Sequence, residues 1–134
     1  MAYTDTKVRE NYGRRFRITF PMEFLPQGRK LQTSPIYDKL VEANAVWGNS
    51  YGLEGAQWYQ EEGKEPVEEL GWGRTNSWDQ VKKSTNAVRN GVGLMETTGF
   101  AKFTFNGPAA RAWLDHTLAG RIPKAGRMLS LIHI

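Results

Sequence analysis

Two histidines, His116 and His133, are the side chains in this chain best matched to proton transfer near neutral pH. Neither has a serine or a paired carboxylate at a spacing that makes a nucleophile or a general acid–base pair. Asp115 precedes His116, but sequence neighbours on a helix point in different directions, so the two form no dyad and His116 reads as a surface residue. The chain has no cysteine, which removes disulfides, thiolate metal sites and thiol nucleophiles together. Five glutamates, Glu61, Glu62, Glu65, Glu68 and Glu69, crowd one stretch and raise the question of a cation site. They lack the Asp/Asn pattern of a calcium loop, and glutamates among Gly and Pro read as a solvated face. Gly91-Val92-Gly93 begins like a dinucleotide fingerprint, yet no third glycine follows and a predicted helix precedes it. No catalytic residue and no metal ligand is assigned from these types and spacings.

Arg14-Arg15-Phe16-Arg17 is the most basic cluster in a chain of net charge +4, and with Tyr12 it offers phosphate contacts and stacking faces. The same residues alternate: Phe16, Ile18 and Phe20 to one side, Arg15, Arg17 and Thr19 to the other. That period predicts a half-buried strand over residues 15–20 rather than a nucleic-acid contact. The elements that would position any site follow from similar patterns. Ser34 as N-cap and Pro35 at the first helical position predict a short helix over 35–43, and residues 45–48 a brief strand. From Tyr51 to Trp78, glycines, Pro66 and the glutamates predict a long loop anchored by Trp58, Tyr59 and Trp72. Trp78, Val81, Thr85 and Val88 recur at three- and four-residue steps, predicting an amphipathic helix stopped by Gly91. Short strands are expected over 93–96 and 100–105. Gly107-Pro108 should open a last helix whose buried side is Ala110, Trp113, Leu114 and Leu118. This order, with 40% hydrophobic residues over 134, predicts an α+β fold with an antiparallel sheet. The polar start from Met1 to Glu10 does not read as a targeting signal, and no apolar run reaches the roughly 20 residues of a membrane span.

Several segments, in order, resemble one family. Gly28-Arg29-Lys30-Leu31-Gln32-Thr33-Ser34-Pro35-Ile36-Tyr37-Asp38-Lys39-Leu40 is similar to the end of the central domain of dimethylglycine and sarcosine dehydrogenases. Tyr51-Gly52-Leu53-Glu54 through Trp58-Tyr59 resembles that family's Gly-Trp-Glu segment, with Leu53 in place of the usual Trp. Arg74-Thr75-Asn76-Ser77-Trp78 is similar to its Arg-Thr-Asn/Ser-Asn-Trp segment, although Gln80-Val81 replaces a common Pro-Val/Gly stretch. Gly93 to Phe103, Gly107-Pro108, Leu114-Asp115 and Ile122 to Arg127 resemble the beginning of the folate-binding aminomethyltransferase domain shared with the glycine-cleavage T protein.

The resemblance implies a division into three: residues 1–50 as the C-terminal part of the central domain, 51–128 as the N-terminal part of the folate-binding domain, and 129–134 as a non-native tail. Leu129-Ser130-Leu131-Ile132-His133-Ile134 leaves the family pattern and resembles the translation of a transposon-end adapter, so coding sequence is expected to end near Met128. It further implies a parent that oxidises an N-methyl amine with FAD and passes the one-carbon unit to tetrahydrofolate, this portion being inactive alone and binding neither cofactor. Phe100 takes the place of the methionine that lines the folate cavity in T proteins, and Glu96 that of an aspartate. The parent's partners would be its N-methyl amine substrate and the flanking domains, with neither nucleic acid nor membrane. Its compartment would be a bacterial cytoplasm or a mitochondrial matrix. A T-type aminomethyltransferase and a regulatory scaffold, like the pyruvate dehydrogenase phosphatase regulatory subunit, are the alternatives.

Overall fold

The computed structural model describes residues 2–128, which fall into two compact units, Met1–Phe100 and Ala101–Ile134. The first is built on a two-stranded antiparallel sheet of β1 (Ala45–Ser50) and β2 (Leu53–Tyr59). Tyr51 and Gly52 form the connection and both have positive φ, 51° and 89°, which is the two-residue hairpin geometry that matches strand twist. Register runs from Ser50 opposite Leu53 to Ala45 opposite Tyr59, with Gln57 the extra residue of a bulge beside Val46 and Trp47. Gln32 lies along the other edge of β2: its amide donates to the Gly52 carbonyl (3.0 Å) and its carbonyl accepts from Glu54 (2.9 Å). Ala45, Val46 and Trp58 are the buried apolar core.

The strand expected over 15–20 is absent. A helix the alternation did not suggest, α1 (Ala2–Gly13), occupies the start, and the chain turns through Arg14–Phe16 into irregular backbone. Glu23 explains the difference. Its Oε1 accepts from Arg14 Nη1 at 3.0 Å and pairs with Arg17 Nη2 at 3.1 Å, and its Oε2 accepts from the Phe20 amide at 3.1 Å. Arg14 and Arg17 are thereby gathered at a three-residue step, which a strand would place on opposite faces. Phe16 is left 94% exposed, with the Arg15 guanidinium 5.6 Å from its ring centre. Helix α1 is itself tied down by Glu10, which accepts from Lys7 Nζ (3.0 Å) and from the Gln27 amide (2.9 Å).

The second predicted helix forms, shorter, as α2 (Tyr37–Glu42). Ser34 does not cap it. Its carbonyl accepts from the Tyr37 amide at 3.1 Å in a preceding turn, and its hydroxyl is drawn into the interior beside the Gln32 bridge without a hydrogen-bond partner. The brief strand at 45–48 extends to Ser50, and the loop expected from Tyr51 shrinks to residues 60–77 because β2 takes its first part. Asn44, at φ 61°, fastens that loop to the start of β1, its Nδ2 donating to the carbonyls of Glu61 (2.9 Å) and Lys64 (3.0 Å). The next helix, α3 (Trp78–Asn90), has the predicted bounds with Gly91 at its C-cap, but its apolar stripe is not buried.

The strands expected over 93–96 and 100–105 do not form among the described residues; a strand needs a neighbouring strand for its backbone groups, and the described sheet pairs only β1 with β2. Leu94 is fully exposed as a result. In the second unit, α4 (Ala110–Thr117) follows Gly107 (φ 123°) and Pro108 as predicted, with the Phe105 ring stacked on Trp113 at 5.3 Å. Leu114 is half-buried, whereas Trp113 and Leu118 remain exposed. Two antiparallel strands with four helices make the fold α+β.

Candidate functional site

The hairpin positions two hollows, both within the first unit. The first, of about 360 Å³, lies where Leu53 and Tyr59 of β2 meet Leu94, Met95, Glu96 and Phe100. Phe100 is 73% exposed and stands at its wall, so the structure brings the residue singled out by resemblance into a concave aromatic setting. Glu96 lines the same hollow, but its Oε1 accepts from the Thr98 amide two residues on, which ties the carboxylate to its own turn. The character is that of a partly polar wall for a flat ring, with Glu54 of β2 as a second acid in the lining.

The second hollow, of about 520 Å³, is lined by more charged side chains, and sequence reasoning missed it. Its floor is Glu54, 3% exposed on β2. Arg29 Nε donates to Glu54 Oε1 at 3.0 Å, Arg29 Nη2 donates to Oε2 in a close contact, and Asn49 Nδ2 donates to Oε1 at 3.0 Å. Burial alone would push this carboxyl up. The bonds from Arg29 and Asn49, with the fields of Arg29 and Lys30, outweigh it and hold Glu54 below the ordinary value. A forked guanidinium on a buried carboxylate fixes both planes, so the pair works as a rigid strut between the segment before Gln32 and the hairpin.

Aromatic rings line the rest. Tyr37 of α2 stacks on Trp47 of β1 at 4.3 Å, and Lys30 Nζ lies 5.3 Å over the Tyr37 ring. Phe24 completes that wall by crossing Gly48: a Cβ there would meet the ring at 2.7 Å and the Gln57 amide nitrogen at 2.5 Å. The Trp58 indole, 6% exposed, donates to Glu68 Oε2 and so carries a loop carboxylate to the rim. A glutamate inside a Gly-flanked apolar segment, Leu53-Glu54-Gly55-Ala56, was the available signal; it becomes informative only once the hairpin is recognised.

Other candidate residues do not converge. His116 is exposed in the last turn of α4, and Asp115 turns away to accept from the Ile122 amide at 2.8 Å. His133 and the rest of the tail, residues 129–134, lie outside the described residues. The acidic run disperses: Glu61 pairs with Lys64 and Lys83, Glu68 goes to Trp58. Bonds from Lys64, Lys83 and Gln80 hold the Glu61 carboxyl down to about 2. Among the described residues no group of three metal-binding side chains gathers, and two of the three arginines of the basic cluster, Arg14 and Arg17, are neutralised on Glu23. No described helix is long and apolar enough to cross a membrane.

The model of the GCVT N-terminal domain matches residues 36–131. Over 108 residues the chain is 33% identical to 4-methylaminobutanoate oxidase (formaldehyde-forming) of Paenarthrobacter nicotinovorans, covering 81% of this chain and 13% of that protein. Over 124 residues it is 31% identical to mitochondrial dimethylglycine dehydrogenase of Rattus norvegicus, covering 92% of this chain and 14% of the relative. A probable aminomethyltransferase of Thermococcus kodakarensis is 31% identical over 67 residues, half of this chain and 17% of that protein. The chain thus spans about one-seventh of the length of the first two relatives.

Proposed function

This chain belongs to the GCVT N-terminal domain family, and on that premise we propose that it is a portion of an N-methyl amine dehydrogenase that passes a one-carbon unit to tetrahydrofolate. The carrying observation is the extent of similarity. The match to dimethylglycine dehydrogenase takes in 92% of the chain, including residues before the family domain, whereas the match to the aminomethyltransferase takes in half. That difference favours the dehydrogenase over a free-standing aminomethyltransferase. On this reading residues 1–50 are the end of a central domain and 51–128 the start of the folate domain.

The hollow at Phe100 fits part of a folate ring: Tyr59 and Phe100 offer faces, and Leu53 and Leu94 add apolar edges. Bound there, tetrahydrofolate would supply the nitrogen nucleophile that accepts the one-carbon unit. The role of Phe100 is to position, since an aromatic wall restricts the ring's tilt and raises the population of reactive orientations. Gly91-Val92-Gly93 follows helix α3 rather than a strand, so its backbone amides are not arranged to cradle a flavin dinucleotide's pyrophosphate. FAD belongs, on this reading, to residues of the longer protein, and the chain alone neither binds it nor turns over. The parent would work in a bacterial cytoplasm or a mitochondrial matrix.

Long-read sequencing of the source DNA across both ends tests the reading. A frame continuing upstream into a glycine-rich dinucleotide-binding domain and downstream into the remaining folate half supports it. The extended protein should then oxidise an N-methyl amine, and Phe100→Ala should raise the folate concentration needed for one-carbon capture while leaving amine oxidation unchanged. A true start before Met1 and a true stop after Ile134 would refute it.

A further inference from the structure

Asparagine followed by glycine occurs twice in the chain, at Asn90-Gly91 and Asn106-Gly107, and the fold treats the two pairs differently. Asparagine is chemically labile, and a glycine amide with no Cβ beside it can approach the asparagine side chain unhindered. All four residues are exposed, so access to solvent does not separate the pairs. Backbone and hydrogen bonding do. Asn90 closes helix α3, where the Cα–Cβ bond tilts toward the helix N-terminus and carries Cγ away from the next amide. Its Nδ2 is held there by the Asn86 carbonyl at 2.9 Å. Asn106 lies in irregular backbone ahead of α4, with no helix to direct its side chain away from Gly107. Among the described residues neither the Asn106 side chain nor the Gly107 amide makes a hydrogen bond. The Cβ position of Gly107 (φ 123°) is open space, whereas that of Gly91 lies 3.2 Å from the Ala87 carbonyl. We propose that Asn106 is a site of spontaneous modification, at which the Gly107 nitrogen displaces the side-chain amide and the ring so formed opens to aspartate and isoaspartate.

The Gly107 nitrogen gives its proton to hydroxide and attacks Asn106 Cγ, an intramolecular step favoured by proximity. The new Cγ–N bond closes a succinimide as the Cγ–Nδ2 bond breaks, and Nδ2 leaves as ammonia after taking a proton from water. Water then adds at either ring carbonyl. Opening at Cγ restores the main chain with an aspartate; opening at the α-carbonyl routes the chain through Cβ and Cγ as isoaspartate. The sum is one water consumed and one ammonia released, with no change of oxidation state. Either product lowers the formal net charge of +4 by one. Isoaspartate also lengthens the backbone directly after Phe105, whose ring stacks on Trp113 of α4 at 5.3 Å, and so loosens that pair. The chemistry asks nothing of the folate reading.

The test ages the 134-residue chain in water enriched in heavy oxygen, at neutral and mildly alkaline pH. Peptide mapping by mass spectrometry and an isoaspartate-specific methyltransferase assay follow each site. Asn106 should convert at least about tenfold faster than Asn90. It should take up the heavy oxygen, yield isoaspartate as well as aspartate, and convert faster as hydroxide rises. In a urea-unfolded sample the two sites should approach one rate, because the helix that protects Asn90 is gone. Near-UV dichroism should fade on ageing in the parent but not in Asn106→Gln, whose longer side chain closes a ring far more slowly. An intact Asn106, equal rates at the two sites in the native chain, or aspartate without isoaspartate would overturn the proposal. So would a preference for Asn106 that persists in urea, or equal fading of the dichroism in both proteins.

Discussion

Replacing Arg29 by alanine would strand the carboxylate of Glu54 at the bottom of the hairpin. Two charge-assisted bonds are lost, Nε to Oε1 and Nη2 to Oε2, each worth roughly 1.5–3 kcal/mol, while the Asn49 amide stays. Removing one partner of a buried pair costs about 3–5 kcal/mol, and protonation of the orphan recovers part, so a loss near 3 kcal/mol is expected at pH 7. With unfolding slopes of about 1–3 kcal/mol per molar urea, the midpoint should fall by about 1–3 M. The pH dependence carries the sharper signature. In the parent, Glu54 is held below its ordinary value of 4.5, so its ionisation stabilises the fold fully above that value. That contribution is lost as pH falls through the folded-state value. In Arg29→Ala, burial still disfavours the charge but the opposing bonds from Arg29 are gone, so acidification relieves the defect. The gap between the two proteins should therefore be largest near pH 7 and narrow below about pH 4.5. Urea unfolding followed by tryptophan emission at pH 7 and pH 3.5 measures both. Arg29→Lys, which keeps the charge and loses the fork, should fall between them. A cost under about 1 kcal/mol at pH 7, or a gap that does not narrow on acidification, would show that Arg29 does not hold Glu54 in place.

Tyr51→Asn should stabilise the hairpin by about 1 kcal/mol, because Tyr51 sits at φ 51° where asparagine is tolerated better; an unchanged urea midpoint would contradict the turn assignment. Gly48→Ala should cost about 1–3 kcal/mol by driving Phe24 off the strand, visible as a lower midpoint and altered near-UV dichroism. Side-chain carboxyl NMR should find Glu61 titrating at about 2, with Lys83→Met and Lys64→Met each moving it up toward 4.5. The stabilisation from Glu61 is present above its unfolded value and lost as pH falls toward 2, and high salt should weaken it. With Phe16, Leu94, Phe100 and Phe103 exposed, the isolated chain should self-associate in sedimentation experiments as concentration rises; a monomer at every concentration tested would refute this.

Local signals decided what could be decided locally. Four-residue steps and the glycine after Asn90 were enough for α3, and Gly107-Pro108 with Trp113 and Leu114 for α4, because a helix closes its hydrogen bonds within its own segment. The ordered motifs from Gly28 to Arg127 carried the family and pointed to Phe100, since motif order survives without knowledge of contacts. What lay outside the sequence's reach was every feature that needs a distant partner. The alternation at Phe16, Ile18 and Phe20 has no sheet to face, and Glu23 bends the same residues into a turn instead. β2 hid inside a glycine-rich stretch because its turn is Tyr-Gly, whose left-handed pair is favoured by Asn-Gly in most hairpins. Glu54 looked like one acid among many until Arg29, 25 residues earlier, closed on it. Periodicity reports which faces differ, and tertiary contact alone decides which of them is covered.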